Sequence, residues 1–225
     1  MNLLDHFTTG TPRPLPVILM LDTSGSMRAD GKIESLNLGL VDLVETLRAE
    51  DDGTGAIHVA VVTFGGDQAE LVRPLEPVAQ LNVEPLEAAG RTPMGSALQI
   101  VSAMVEDRDI IPSRAYRPTI ALLSDGIPTD DWEGPLAAFL RGERAQKATR
   151  LALGIGADAS RDCLREFAGE DHHVRRIDQA SQIRDYLQFV SLSVVARSAS
   201  QDPNADTAET TVDAPDIPVW EDIRF

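Results

Sequence analysis

Three short runs, far apart in the chain, hold side chains that could surround a hard divalent cation: Asp22-Thr23-Ser24-Gly25-Ser26, Thr92-Pro93 and Asp125-Gly126. Asp22, Ser24, Ser26, Thr92 and Asp125 are small and oxygen-bearing, with no His or Cys among them. That set suits Mg²⁺, with Mn²⁺ or Ca²⁺ as alternatives. Mg²⁺ prefers near-octahedral oxygen coordination at about 2.0–2.1 Å and keeps several waters. Hydroxyls ligate such an ion without adding charge. Asp22 and Asp125 can hold it directly or through water, and Thr92 brings an oxygen from a separate loop. With about three protein oxygens in direct contact, at least one position remains for water or an outside ligand. The mostly neutral inner groups leave the ion positive, so the Asp or Glu carboxylate of a protein partner suits that position.

The runs converge only if the fold carries them to one place. The first and last directly follow apolar stretches, Val17–Leu21 and Thr119–Leu123, which read as parallel strands buried on both faces. The carboxyl ends of such strands lie along one sheet edge, where ligand sites form. A helix is expected over about Lys32–Glu50, because Ile33, Leu36, Leu40, Leu43, Val44 and Leu47 recur at spacings of three and four. Ile57–Phe64 reads as a strand that turns through Gly65-Gly66-Asp67 into Ala69–Val72, an antiparallel edge. Val78–Ala89 fits either a short helix or an extended stretch. Thr92 reads as an N-cap, with Pro93 at the first helical position of a helix running to about Asp109. Strands over Thr119–Ser124, Thr149–Gly154 and Val174–Ile177 alternate with helices over Trp132–Arg144, Ser160–Ala168 and Ser181–Arg197. The fold class is therefore α/β: a doubly wound, mainly parallel sheet with one antiparallel edge strand and helices on both faces.

Length and composition bound the rest. At 225 residues, 43% hydrophobic and 25% charged, the chain can bury a full core. No apolar run approaches the roughly 20 residues that span a bilayer. Met1–Gly10 lacks the charged start and long apolar stretch of a secretion signal. The single Cys163 excludes an internal disulfide framework and reads as a core filler, so a cytoplasmic location is expected. A net charge of −16 disfavours nucleic acid and anionic membranes, and favours a bound cation or a basic partner surface. We divide the chain into a lead-in at 1–13, a domain at 14–197, and an acidic linker with a terminal apolar peptide at 198–225. Ser198–Phe225 holds seven acids against Arg224 alone. Its last stretch, Ile217–Phe225, reads as a tail packed on its own domain, as a docking peptide for another protein, or as a disordered end.

Each piece of the cation set has a plainer explanation when taken singly: caps for Asp22, the serines and Thr92, a turn for Asp125-Gly126. The combination at strand ends is what points to a cation. The main alternative is a metal-dependent phosphoester hydrolase or phosphotransferase at the same edge, and a third reading has the metal stabilise the fold alone. An aspartyl-phosphate enzyme wants a second acid two residues after Asp22, where Ser24 stands. The sequence has neither a phosphate loop nor a nucleophile elbow. His6 lies in the lead-in and His58 in a strand, while adjacent His172 and His173 point to opposite faces of an extended segment.

The runs Val17–Met27, Thr92–Leu98 and Leu122–Asp130 resemble the von Willebrand factor type A family and its metal-ion-dependent adhesion site (MIDAS), over roughly residues 14–197. The resemblance implies that Ser24, Ser26 and Thr92 contact the metal, while Asp22 and Asp125 hold it largely through waters. It also implies a non-enzymatic module that binds an acidic side chain of a protein partner. Ile33–Asn37 and Thr92–Gly95 are most similar to the bacterial tellurium-resistance TerY-type proteins, which implies a stress-response system with kinase and phosphatase partners. Arg91 departs from the Gly that the family pattern leads one to expect.

Overall fold

A computed structural model describes residues 12–51, 56–169, 173–204 and 217–220. Strand β1 (Leu15–Asp22) is buried along its whole length. Its side chains alternate between two cores, as a strand covered on both faces requires. Leu15, Val17, Leu19 and Leu21 face one cluster, while Ile18 and Met20 face the other. A 3₁₀ segment (Gly25–Gly31) leads into α1 (Lys32–Glu50). Strands β2 (Ile57–Gly65) and β3 (Gln68–Pro77) form a hairpin through Gly66, whose φ of 69° few other residues adopt cheaply. Then come α2 (Met94–Glu106), β4 (Thr119–Ser124), α3 (Glu133–Arg141), β5 (Thr149–Ile155), α4 (Arg161–Ala168), β6 (Val174–Ile177) and α5 (Ser181–Ala199).

The sheet order is β3-β2-β1-β4-β5-β6, with every pairing parallel except β2–β3. One face is covered by α1 and α5, the other by α2, α3 and α4. Helix α1 lies close to α5 because Gly39 has no side chain: a Cβ there would stand 2.8 Å from Leu187 Cδ1. Chain order reverses on the two sides of β1, so β1 and β4 flank the switch point where open α/β sheets bind ligands. Asp22 closes β1, and Asp125 directly follows β4.

Three expectations need correction. Thr92 does not cap α2. The helix starts at Met94 with Pro93 at the cap position, and its first amides go to a residue far along the chain. Asp130 accepts from Gly95 N–H and Ser96 N–H, both at 2.9 Å, which leaves the Thr92 hydroxyl for other work. Helix α2 stops at Glu106 rather than near Asp109. The expected helix over Trp132–Arg144 ends at Arg141, because Gly142 is extended, and a separate 3₁₀ turn follows at Ala145–Lys147. Of the two readings for Val78–Ala89, the structure has a turn at 78–80 and then irregular chain.

The apolar end of the chain packs on the domain where it is described. Arg175 and Val219 form an antiparallel bridge, and Arg176 N–H donates to Pro218 C=O at 3.3 Å. Ile217 joins the α1/α5 core and Trp220 the opposite one, so the segment wraps the outer edge of β6. Trp220 sits over Gly154, where a Cβ would fall 2.0 Å from its Cζ3. Residues 1–11, 205–216 and 221–225 lie outside the described residues, and with them most of the expected lead-in and linker.

Candidate metal centre

The β1 end is a loop folded back on its own acid. Asp22 is fully buried; its Oδ1 accepts from Ser24 N–H at 2.8 Å, and its Oδ2 from the Ser124 hydroxyl at 2.6 Å. Burial outweighs these hydrogen bonds and pushes the Asp22 carboxyl up to about 6. Ser24 Oγ and Ser26 Oγ lie 2.9 Å apart. Ser26 in turn donates to Asp125 Oδ1 at 2.7 Å, across 99 residues of sequence. Ser26 is exposed while Asp22, Ser24, Thr92 and Asp125 are buried, so the cluster opens to solvent on the Ser26 side.

Thr92 reaches the same place from a third loop. Its N–H donates to Thr129 Oγ1 at 3.1 Å, and its C=O accepts from Thr129 N–H at 3.0 Å, so the loops before α2 and after β4 clasp each other. A Cβ built on Gly126 would lie 3.5 Å from Thr92 Oγ1 and 4.0 Å from Ser26 Oγ. The glycine after Asp125 thus leaves room between the two hydroxyls. A cavity of about 450 Å³ on the β2–β3 side includes Thr23, Gly65 and Gly66 but none of the five oxygen-bearing residues.

Sequence reasoning missed four residues of this cluster. Ser124 holds Asp22, Thr129 and Asp130 hold the Thr92 loop, and Lys32 Nζ donates to Asp125 Oδ2 at 2.7 Å. The Ser124-Asp125 pair at a strand end and a lysine opening a helix were the available signals. His58 lies at the far end of the sheet, where it pairs with Pro16. His6 and His172 lie outside the described residues. Cys163 is buried with its thiol 3.1 Å from Met94 Sδ, and burial pushes it up to about 12. It is an inert core residue.

The element order, the antiparallel β3 edge and the loop cluster at the β1/β4 switch point define a domain class. The family model of the von Willebrand factor type A domain matches residues 17–127, just under half of the chain. The chain is 31% identical to the magnesium-chelatase 60 kDa subunit of Rhodobacter capsulatus over 146 residues, covering 64% of this chain and 24% of that protein. It is 28% identical to inter-alpha-trypsin inhibitor heavy chain H4 of Sus scrofa over 217 residues, covering 89% of this chain and 22% of that one. The chain therefore spans about a quarter of the length of these relatives. Among solved structures, proximal thread matrix protein 1 from the mussel byssus, with its MIDAS motif occupied by zinc, superposes with a TM-score of 0.63 at 18% identity. That match covers 80% of this chain and 48% of the mussel protein. Among the described residues, no helix is long and apolar enough to cross a membrane.

Proposed function

We propose that this chain is a non-enzymatic, metal-dependent protein-binding module that recognises an acidic side chain of its partner. The observation that carries the reading is the short chain of contacts Ser24–Ser26–Asp125 across two loops, with Thr92 beside Gly126. A bound Mg²⁺, Mn²⁺ or Ca²⁺ would offer an open coordination position to an outside carboxylate. Ser24, Ser26 and Thr92 present the neutral oxygens that would hold it. Asp125 accepts from the Ser26 hydroxyl and Asp22 from Ser24 N–H, so both acids stand one hydrogen bond behind these oxygens and would add charge without a direct bond. The working unit is residues 14–197 with Ile217–Trp220 packed on it.

The motif runs Ile33–Asn37 and Thr92–Gly95 support a place in a bacterial, cytoplasmic stress-response system of the tellurium-resistance type, with a kinase or phosphatase as partner. One relative is named as a subunit of magnesium chelatase, which supports a second reading as a subunit of a larger metal-handling enzyme. The hydrolase alternative would have to use Asp125, the acid that accepts from Ser26 Oγ and also holds Lys32, as its base.

The test is capture of partners from native lysate by wild type and Ser24→Ala, each with and without a chelator. Both the chelator and the substitution are expected to abolish capture while the thermal melt stays cooperative. Capture that survives both would refute the reading. Phosphoester turnover lost in Asp22→Ala would establish the hydrolase instead.

A further inference from the structure

Lys32 occupies an unusual position. Asp30 and Gly31 both adopt left-handed backbone, with φ of 57° and 73°, and this turn makes Lys32 the first residue of α1. A cation at a helix N-terminus faces the positive end of the macrodipole, an unfavourable placement. Its compensation is Asp125, whose side chain is fully buried and whose Oδ2 lies 2.7 Å from Lys32 Nζ. The lysine side chain itself is only 18% exposed.

The residue type matters as well. Of the 20 basic residues in the chain, only Lys32 and Lys147 are lysines. An arginine fork would take both oxygens of Asp125, whereas a single ammonium takes Oδ2 and leaves Oδ1 to Ser26. The compact cation thereby preserves the hydroxyl arrangement on the metal side.

We propose that Lys32 is a built-in cation of this centre that weakens divalent-ion binding and makes the loaded site select an acidic ligand; the inference rests on the metal reading above. Charge counting gives the reason. Asp22 and Asp125 together cancel a divalent ion, so Lys32 leaves the loaded site with one positive charge. One carboxylate from a partner brings the site to neutrality. Without Lys32 the loaded site is already neutral, and an added carboxylate would leave it with net negative charge. Ion and acidic ligand therefore bind cooperatively in the wild type, and Lys32 is the residue that couples them.

Isothermal titration of Mn²⁺ into the full chain at neutral pH tests this in wild type, Lys32→Met and Lys32→Arg, with and without acetate as the carboxylate probe. Lys32→Met is expected to bind Mn²⁺ about tenfold more tightly than wild type, from loss of one nearby positive charge. Acetate should tighten Mn²⁺ binding in wild type and not in Lys32→Met. Lys32→Arg should stay at or below the wild-type affinity, which separates charge from packing. Thermal melts check folding, and Lys32→Gln serves the same comparison should Lys32→Met unfold. Equal or weaker Mn²⁺ binding by Lys32→Met overturns the inference while leaving the metal centre intact. Arginine binding as tightly as methionine also overturns it. Absence of Mn²⁺ binding in all the proteins overturns the inference and the metal reading together.

Discussion

Asp22→Asn is expected to abolish divalent-ion binding and, in the absence of metal, to make the protein more stable than wild type. The two effects have one cause. Asp22 is fully buried, and desolvation raises its carboxyl to about 6, so the folded protein near neutral pH holds a charge that its surroundings disfavour. The amide removes that charge and keeps the hydrogen bonds: its Oδ1 still accepts from Ser24 N–H, and its Nδ2 donates to Ser124 Oγ. The raised carboxyl corresponds to a gain on the order of 2–3 kcal/mol in chelator above pH 7.

The sign of the pH dependence follows from the same shift. A carboxyl raised from 3.8 to about 6 in the folded state contributes stability that is full below 3.8 and lost as pH rises through about 6. Metal-free wild type should therefore melt higher at pH 5 than at pH 7.5, and Asp22→Asn should lose this part of the dependence. Mn²⁺ affinity of wild type should run the other way and fall below pH 6, because protons compete for Asp22. Melts in chelator at the two pH values give the answer. An Asp22→Asn protein less stable than wild type at pH 7.5 would show that the carboxylate is not under strain.

The second large effect lies further along the same sheet edge, where Gly154 of β5 pairs with Ser124 of β4. Trp220→Ala should cost about 3–5 kcal/mol, the usual range for emptying a buried aromatic site. Trp220 is 6% exposed, packs over Gly154, and lies 5.7 Å from the Arg176 guanidinium. For a domain of this size that cost lowers the melting temperature by roughly 10 °C. Gly154→Ala should cost a comparable amount, because its new methyl group needs the space the indole occupies. The double variant should lose less than the two single losses combined, since each change removes the partner of the other. Additive losses would mean that the tail and β5 do not share this contact. A melting temperature unchanged by Trp220→Ala would mean that the terminal peptide does not stabilise this domain.

What could be read from the sequence was what local pattern controls. Val17–Leu21 and Thr119–Leu123 are apolar without a break because β1 and β4 are covered on both faces, and this alone put Asp22 and Asp125 at strand ends. The periodicity of Ile33 to Leu47 placed α1 at Lys32–Glu50. The residues that escaped are those whose partners lie far away. Asp130 caps α2 from 35 residues downstream of Gly95, a partner that no pattern local to Thr92-Pro93 reveals. Ser124 reaches Asp22 across 102 residues, and Lys32 reaches Asp125 across 93. A turn residue or a helix-opening lysine looks the same in sequence whether its neighbour in space is water or a buried acid. The docking of Ile217–Trp220 depends on a space over Gly154 that no local signal announces.

Oxygens from three loops must share one ion for this site to work as a metal centre. The direct measurement is the anomalous scattering of Mn²⁺ in crystals of the full chain. We expect one dominant peak at the end of β1, within bonding distance of Ser24 Oγ, Ser26 Oγ and Thr92 Oγ1, and its loss in Asp22→Asn. Crystals that bind Mn²⁺ only elsewhere, or show no peak at the β1/β4 edge at saturating metal, would contradict it.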